Sequence, residues 1–152
     1  MTIPVDDIKK LREKTGGGIA DCRKALAESG GDFAKAEDLL KSWGIDKAAS
    51  KSDRVVGAGL IETYMHAGGK VGAMVEVNCE TDFVARTDEF KNLAHEIAMQ
   101  VAAMDPKDVK DLEKQEYIRD TSKTISDLIK EVIAKVGENI VVKRFERFEL
   151  GQ

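Results

Sequence analysis

Two periodicities divide this chain. From Val71 to Cys79 the apolar residues alternate, with Val71, Ala73, Val75, Val77 and Cys79 on one face and Gly72, Met74, Glu76 and Asn78 on the other. A period of two marks a half-buried strand. A preceding strand, 59–66, joined to it through Ala67-Gly68-Gly69-Lys70, completes a predicted hairpin. Near Asp88 the period becomes helical: Phe90, Leu93, Ala94, Ile97, Ala98, Val101 and Met104 share one face until Asp105-Pro106 stops the helix. A second stripe, Ile125, Leu128, Ile129, Val132, Ile133 and Val136, ends at Gly137. Residues 140–150 form a last predicted strand, in which Phe145 and Phe148 can share a face only across a bulge. Between the helices, 107–123 is highly charged, with Val109, Leu112, Tyr117 and Ile118 as scattered anchors. Irregular structure with at most a turn of helix is expected there.

The N-terminal part predicts three short helices. Asp6 and Asp7 suit a helix start, and Ile8 and Leu11 give it an apolar edge. Thr15-Gly16-Gly17-Gly18 breaks it. Ile19, Cys22, Ala25 and Leu26 stripe the second helix, and Ser29-Gly30-Gly31-Asp32 ends it. Asp32 can cap a third, striped by Phe33, Ala36, Leu40 and Trp43. Residues 46–54 are Lys-, Ala- and Ser-rich and suggest an exposed, partly helical linker. The expected organisation is α+β: a three-helix module over 1–45, the linker, and a domain over 55–152. In that domain two amphipathic helices cover one face of a three-stranded antiparallel sheet. Its other face, with Ile61, Met65 and Met74, is left needing a partner.

The connection between strand and helix is Thr81-Asp82-Phe83-Val84-Ala85-Arg86. Anchored at both ends, it carries an aromatic where polar residues are usual. Phe83 is either a plug into its own core, which the average burial of large apolar side chains favours, or a wedge for another molecule.

Composition changes this picture little. A chain of 152 residues with 42% apolar and 34% charged content is an ordinary globular protein. It holds no run of membrane-span length, and its N-terminus lacks the basic-then-apolar layout of a signal peptide. Two cysteines make no disulfide framework, which suits a reducing cytoplasm. The net charge of −4 argues against non-specific nucleic-acid binding.

Candidate chemistry is thin. Thr15–Gly18 lacks the Lys-Ser/Thr of a phosphate loop. His95-Glu96 is followed by Met99 where a second zinc-binding histidine would stand, and His66 is the only other histidine, so no metal is expected. Cys22 and Cys79 lie on apolar faces, as buried structural thiols do. Trp43 continues a core stripe. Glu80 and Asp82 could form an acid/base pair, but nothing around them implies a substrate pocket.

Three stretches carry a resemblance. Val75-Glu76-Val77-Asn78-Cys79-Glu80-Thr81-Asp82-Phe83-Val84-Ala85-Arg86 resembles the signature of the elongation factor Ts family. Leu11-Arg12-Glu13-Lys14-Thr15-Gly16-Gly17-Gly18, followed by Asp21-Cys22-Arg23-Lys24-Ala25-Leu26, is similar to a second signature. Ala134-Lys135-Val136-Gly137-Glu138-Asn139-Ile140-Val141-Val142, then Arg144-Phe145, is similar to a third. They come in the family's order and span nearly the whole chain.

The resemblance implies a guanine nucleotide exchange factor for elongation factor Tu, without bond chemistry or cofactor. It implies a ubiquitin-associated-like N-terminal bundle docking on the GTPase through Arg12, Ile19, Ala20, Arg23 and Lys24, residues that on their own suggest a solvated face with Ile19 in the core. Relatives often carry two methionines at the positions of Ile19 and Ala20, so Ala20 shrinks that contact. Thr81, Asp82, Phe83 and Val84 would form the loop that disturbs the partner's magnesium site, with Phe83 as wedge and Thr81 and Val84 holding the tip. Single-module relatives form homodimers through the open sheet face. A helical excursion that many relatives insert after Asp105-Pro106 is mostly missing here. Two rival functions remain: an adaptor that binds without promoting exchange, and an acid/base enzyme at Glu80 and Asp82.

Overall fold

The computed structural model describes residues 2–152. It opens with α1 (Val5–Thr15), α2 (Ile19–Glu28) and α3 (Phe33–Ser50). Gly16, at φ 70°, ends α1 in the left-handed region where a side chain is disfavoured, and its N–H reaches the Arg12 carbonyl at 2.8 Å. The Asp32 carboxylate accepts from Lys35 N at 3.1 Å and caps α3. Ile8, Leu11, Cys22, Ala25, Leu26 and Ala36 form a small core, with Phe33, Leu40 and Trp43 packed at its edge. Ile19, expected on the buried stripe of α2, is 62% exposed at its first turn.

The segment 46–54 differs from the linker expected. α3 continues without a break through Ser50, and Ala48 is buried in the core of the following domain. Small residues make this close approach possible: a Cβ built on Gly44 would lie 3.3 Å from the Ala134 Cβ.

That domain is built on β1 (Ala58–Met65), β2 (Val71–Cys79) and β5 (Val141–Glu149), antiparallel in the order β1-β2-β5. Between β2 and β5 lie α4 (Asp82–Ala85), α5 (Asp88–Met104), α6 (Val109–Lys114), β3 (Glu116–Tyr117), β4 (Asp120–Thr124) and α7 (Ile125–Val136). Phe90, Leu93, Ala94, Ile97, Ala98 and Val101 of α5 pack with Val75, Val77 and Cys79 of β2 in one buried cluster, which Ile125, Ile129 and Ile133 of α7 extend. Met104, placed on the same stripe, is instead 48% exposed at the helix end. α7 carries a full capping box, Thr124 with Asp127, and ends at Gly137 with φ 74°.

The register explains the two phenylalanines. It slips between Glu76 and Val77, so Lys143 bulges out and both Val142 and Phe145 turn inward. Phe148 pairs with Gly72 on the outer face, opposite to Phe145. That outer face stays open, with Ile61, Met65, Met74 and Phe148 all more than half exposed.

The charged stretch 107–123 is more regular than expected. It holds α6 and a short hairpin, β3–β4, organised by a buried glutamine of α5. The Gln100 amide donates to Glu116 O at 3.0 Å and accepts from Ile118 N at 3.1 Å, while the Tyr117 hydroxyl donates to Glu96 at 2.6 Å. Among the described residues no helix is long and apolar enough to cross a membrane.

Candidate functional site

The connection after β2 is one turn of helix clamped from both sides. Thr81 caps it, its Oγ1 accepting from Val84 N at 3.4 Å. Thr87 closes it, donating to Val84 O at 2.7 Å and capping α5 by accepting from Phe90 N at 3.3 Å. Val84 and Ala85 point into the core at 8% and 7% exposure. Asp82 and Phe83 point the other way, and Phe83 is 84% exposed. Phe83 is therefore no plug. Four residues put two side chains in the core and an aromatic in solvent, because a single helical turn has opposite sides only two residues apart.

Hydrogen bonds from distant residues fasten the base of this turn. The Glu138 Oε1 accepts from Glu80 N at 3.1 Å and Thr81 N at 2.9 Å, and Oε2 accepts the Thr81 hydroxyl at 2.8 Å. In return the Glu80 carboxylate accepts from Asn139 N at 2.8 Å and pairs with Arg54 at 3.6 Å. Nearly buried, Asn139 donates its amide to Ser52 O at 3.3 Å and Arg54 O at 3.0 Å. Glu80 is thus held in structural bonds, and Asp82 stands on an exposed turn, an arrangement unsuited to an acid/base pair. Residue patterning missed Glu138 and Asn139. Their signal in the chain is the glycine-then-acid ending of α7 in the third family-like stretch.

Cysteine chemistry is suppressed. Burial pushes the Cys79 thiol up, and the nearby Glu138 charge adds to that; burial also raises Cys22. Among the described residues no group of three or more His, Cys, Asp or Glu could hold a metal ion.

The five N-terminal candidates divide. Arg12, Ile19 and Arg23 line one open groove with Ile3, Val5 and Ile8 between α1 and α2. Ala20 is exposed beside Ile19. Lys24 is engaged elsewhere, its Nζ 4.6 Å from the Trp43 ring centroid and 3.8 Å from Glu28.

The family model for elongation factor TS matches residues 80–152, from the base of the turn to the C-terminal end. An elongation factor Ts of Thermoanaerobacter sp. (strain X514) is 45% identical over 195 positions, covering 99% of this chain and 96% of the relative. Those of Coprothermobacter proteolyticus (44%, all of both chains) and Thermotoga petrophila (44%, 100% of this chain and 98% of the relative) are similar to it over their lengths. The chain belongs to the elongation factor Ts family. Alignment over 195 positions against 152 residues leaves at least 43 without a counterpart here. The chain is thus shorter than these relatives. The bundle, the clamped turn and the Gly137-Glu138-Asn139 corner are all present in it.

Proposed function

We propose that this protein is a guanine nucleotide exchange factor for elongation factor Tu, acting in translation elongation in the cytoplasm. A GTPase releases GDP slowly because phosphate contacts and magnesium must let go together. A factor that binds the nucleotide-poor state more tightly weakens the nucleotide by the same free energy, consuming none. The observation that carries the reading is Phe83, an aromatic 84% exposed on a turn pinned at both ends, in a chain of this family. It acts as an apolar wedge beside the partner's magnesium site. Asp82 redirects hydrogen bonds there, and Thr81 and Val84 hold the tip. The bundle over 1–45 is the recognition module and supplies affinity through Arg12, Ile19, Ala20, Arg23 and Lys24. The open sheet face of Ile61, Met65, Met74 and Phe148 joins two copies in a homodimer, which offers two turns to two partners. No bond is made or broken by the factor, and neither cofactor nor metal of its own is used.

The test is release of fluorescent GDP from elongation factor Tu with and without this protein. Acceleration by substoichiometric factor is expected. Binding of the same strength with and without GDP, and no acceleration, would make it an adaptor.

A further inference from the structure

Glu138 lies 57 residues from Thr81 in the chain, yet its carboxylate takes three hydrogen bonds from the base of the exposed turn. We propose that Glu138 is a positioning residue for nucleotide exchange, holding the Thr81–Val84 turn so that Phe83 is presented in one fixed pose. This rests on the exchange reading and adds to it a residue that acts through the turn.

Three observations carry it. A helix of four residues has no stability of its own, since nucleation costs more than one turn of bonds returns. The pose of Asp82 and Phe83 must come from what anchors the turn. Second, the anchor is charge-assisted and shared: one oxygen of Glu138 receives both backbone amides, and the other receives the Thr81 hydroxyl proton. With that proton committed to Glu138, the hydroxyl lone pair faces Val84 N and caps the turn. Glu138 therefore sets the rotamer of the cap as well as the path of the backbone. Third, the bonding is reciprocal. Asn139 N bonds back to Glu80, and the Asn139 amide holds the carbonyls of Ser52 and Arg54, just after α3. The exits of α3 and α7 and the base of the turn thus meet at one corner, which fixes the wedge relative to the bundle that docks.

A wedge works by displacing partner atoms, so a turn free to rotate at its base would lose rate before it lost binding. The full-length Glu138→Ala, Glu138→Gln and Phe83→Ala proteins test this. The readouts are amide hydrogen exchange of the free factor and GDP release from elongation factor Tu across factor concentrations. Glu138→Ala is expected to speed exchange of the Glu80 and Thr81 amides by about tenfold or more, the scale of losing charge-assisted bonds. Protection at Val75 and Val77 should stay intact. The release rate at saturating factor should fall about tenfold, with the half-saturating concentration moving less than about threefold. Glu138→Gln keeps an oxygen for the two amides but has no acceptor for the Thr81 hydroxyl proton, so it should recover part of the rate. If Glu138→Ala does not fold, Glu138→Asp replaces it: charge is retained but the reach is shorter by one methylene, about 1.5 Å, and the same loss is expected. Normal release from Glu138→Ala beside slow Phe83→Ala would overturn the positioning role. So would a Glu138→Gln no faster than Glu138→Ala although its two amides stay protected, or loss of protection throughout β2. Unchanged release from Phe83→Ala would overturn the wedge that Glu138 positions, whereas no acceleration by the parent protein would instead overturn the exchange reading beneath it.

Discussion

Replacing Phe83 with alanine separates a wedge from a core residue by two independent numbers. The side chain is 84% exposed, so only about one-sixth of its surface touches protein. A phenylalanine buries roughly 200 Å² when fully enclosed, and each Å² is worth about 25 cal/mol, so truncation costs under about 1 kcal/mol. For a chain of this length that is a fall of about 2–4 °C in melting temperature at most. Phe90, seven residues on and 0% exposed, is the internal control. Its truncation costs about 3–5 kcal/mol, enough to unfold a marginal domain or lower its melting point by about 10 °C or more. Melting is followed by circular dichroism, and GDP release by fluorescence at saturating factor. The expected result for Phe83→Ala is near-parental melting with release slowed severalfold or more. A fall in melting temperature like that of Phe90→Ala, with normal release from the surviving protein, would refute both the exposure and the wedge.

Three further outcomes are expected. Sedimentation at micromolar concentration should give a species of twice 16.7 kDa, and Met74→Glu, at the centre of the open sheet face, should return it to 16.7 kDa; an equally heavy variant would move the dimer elsewhere. Ile19→Asp should raise the half-saturating concentration of factor about tenfold while leaving the saturating release rate unchanged, as loss of a docking anchor does. Burial and the hydrogen bond to Glu96 push the Tyr117 phenol up from 10.0 to about 12. The folded state thus holds this proton longer than the unfolded one. The resulting stability is fully present below pH 10 and is lost as the pH rises through about 12. Absorbance titration should show one of the two tyrosines ionising late, and Tyr117→Phe should remove that step.

Much of the fold lay open in the chain because long stripes carry their own period. α5 and α7 each repeat the 3.6 spacing over three or more turns, and β2 alternates through nine residues. Where contacts made far away decide, the pattern was silent. The β3–β4 hairpin has strands of two and five residues without alternation, and its organiser, Gln100, resembles a solvent position in the stripe of α5. After Ile45 the end of α3 holds only small and charged or polar residues, so the burial of Ala48 comes from its packing against the following domain. The site was divided in the same way. Capping threonines and the aromatic were visible locally, but the exposure of Phe83 depends on Val84 and Ala85 taking the inward side. Glu138 was out of reach because its partners lie more than fifty residues away.

The unbroken run of α3 from the bundle into the sheet domain sets a phase relation between the two. Each residue of an α-helix adds 1.5 Å and turns the axis by about 100°. One residue inserted between Gly44 and Ala48 would swing the groove of Arg12, Ile19 and Arg23 a quarter-turn or more around the axis relative to Phe83. Four residues would nearly restore the angle and lengthen the strut by about 6 Å. The number of residues between bundle and turn is therefore a setting of the molecule. On the exchange reading, a GTPase meeting both at once would measure that length and angle together.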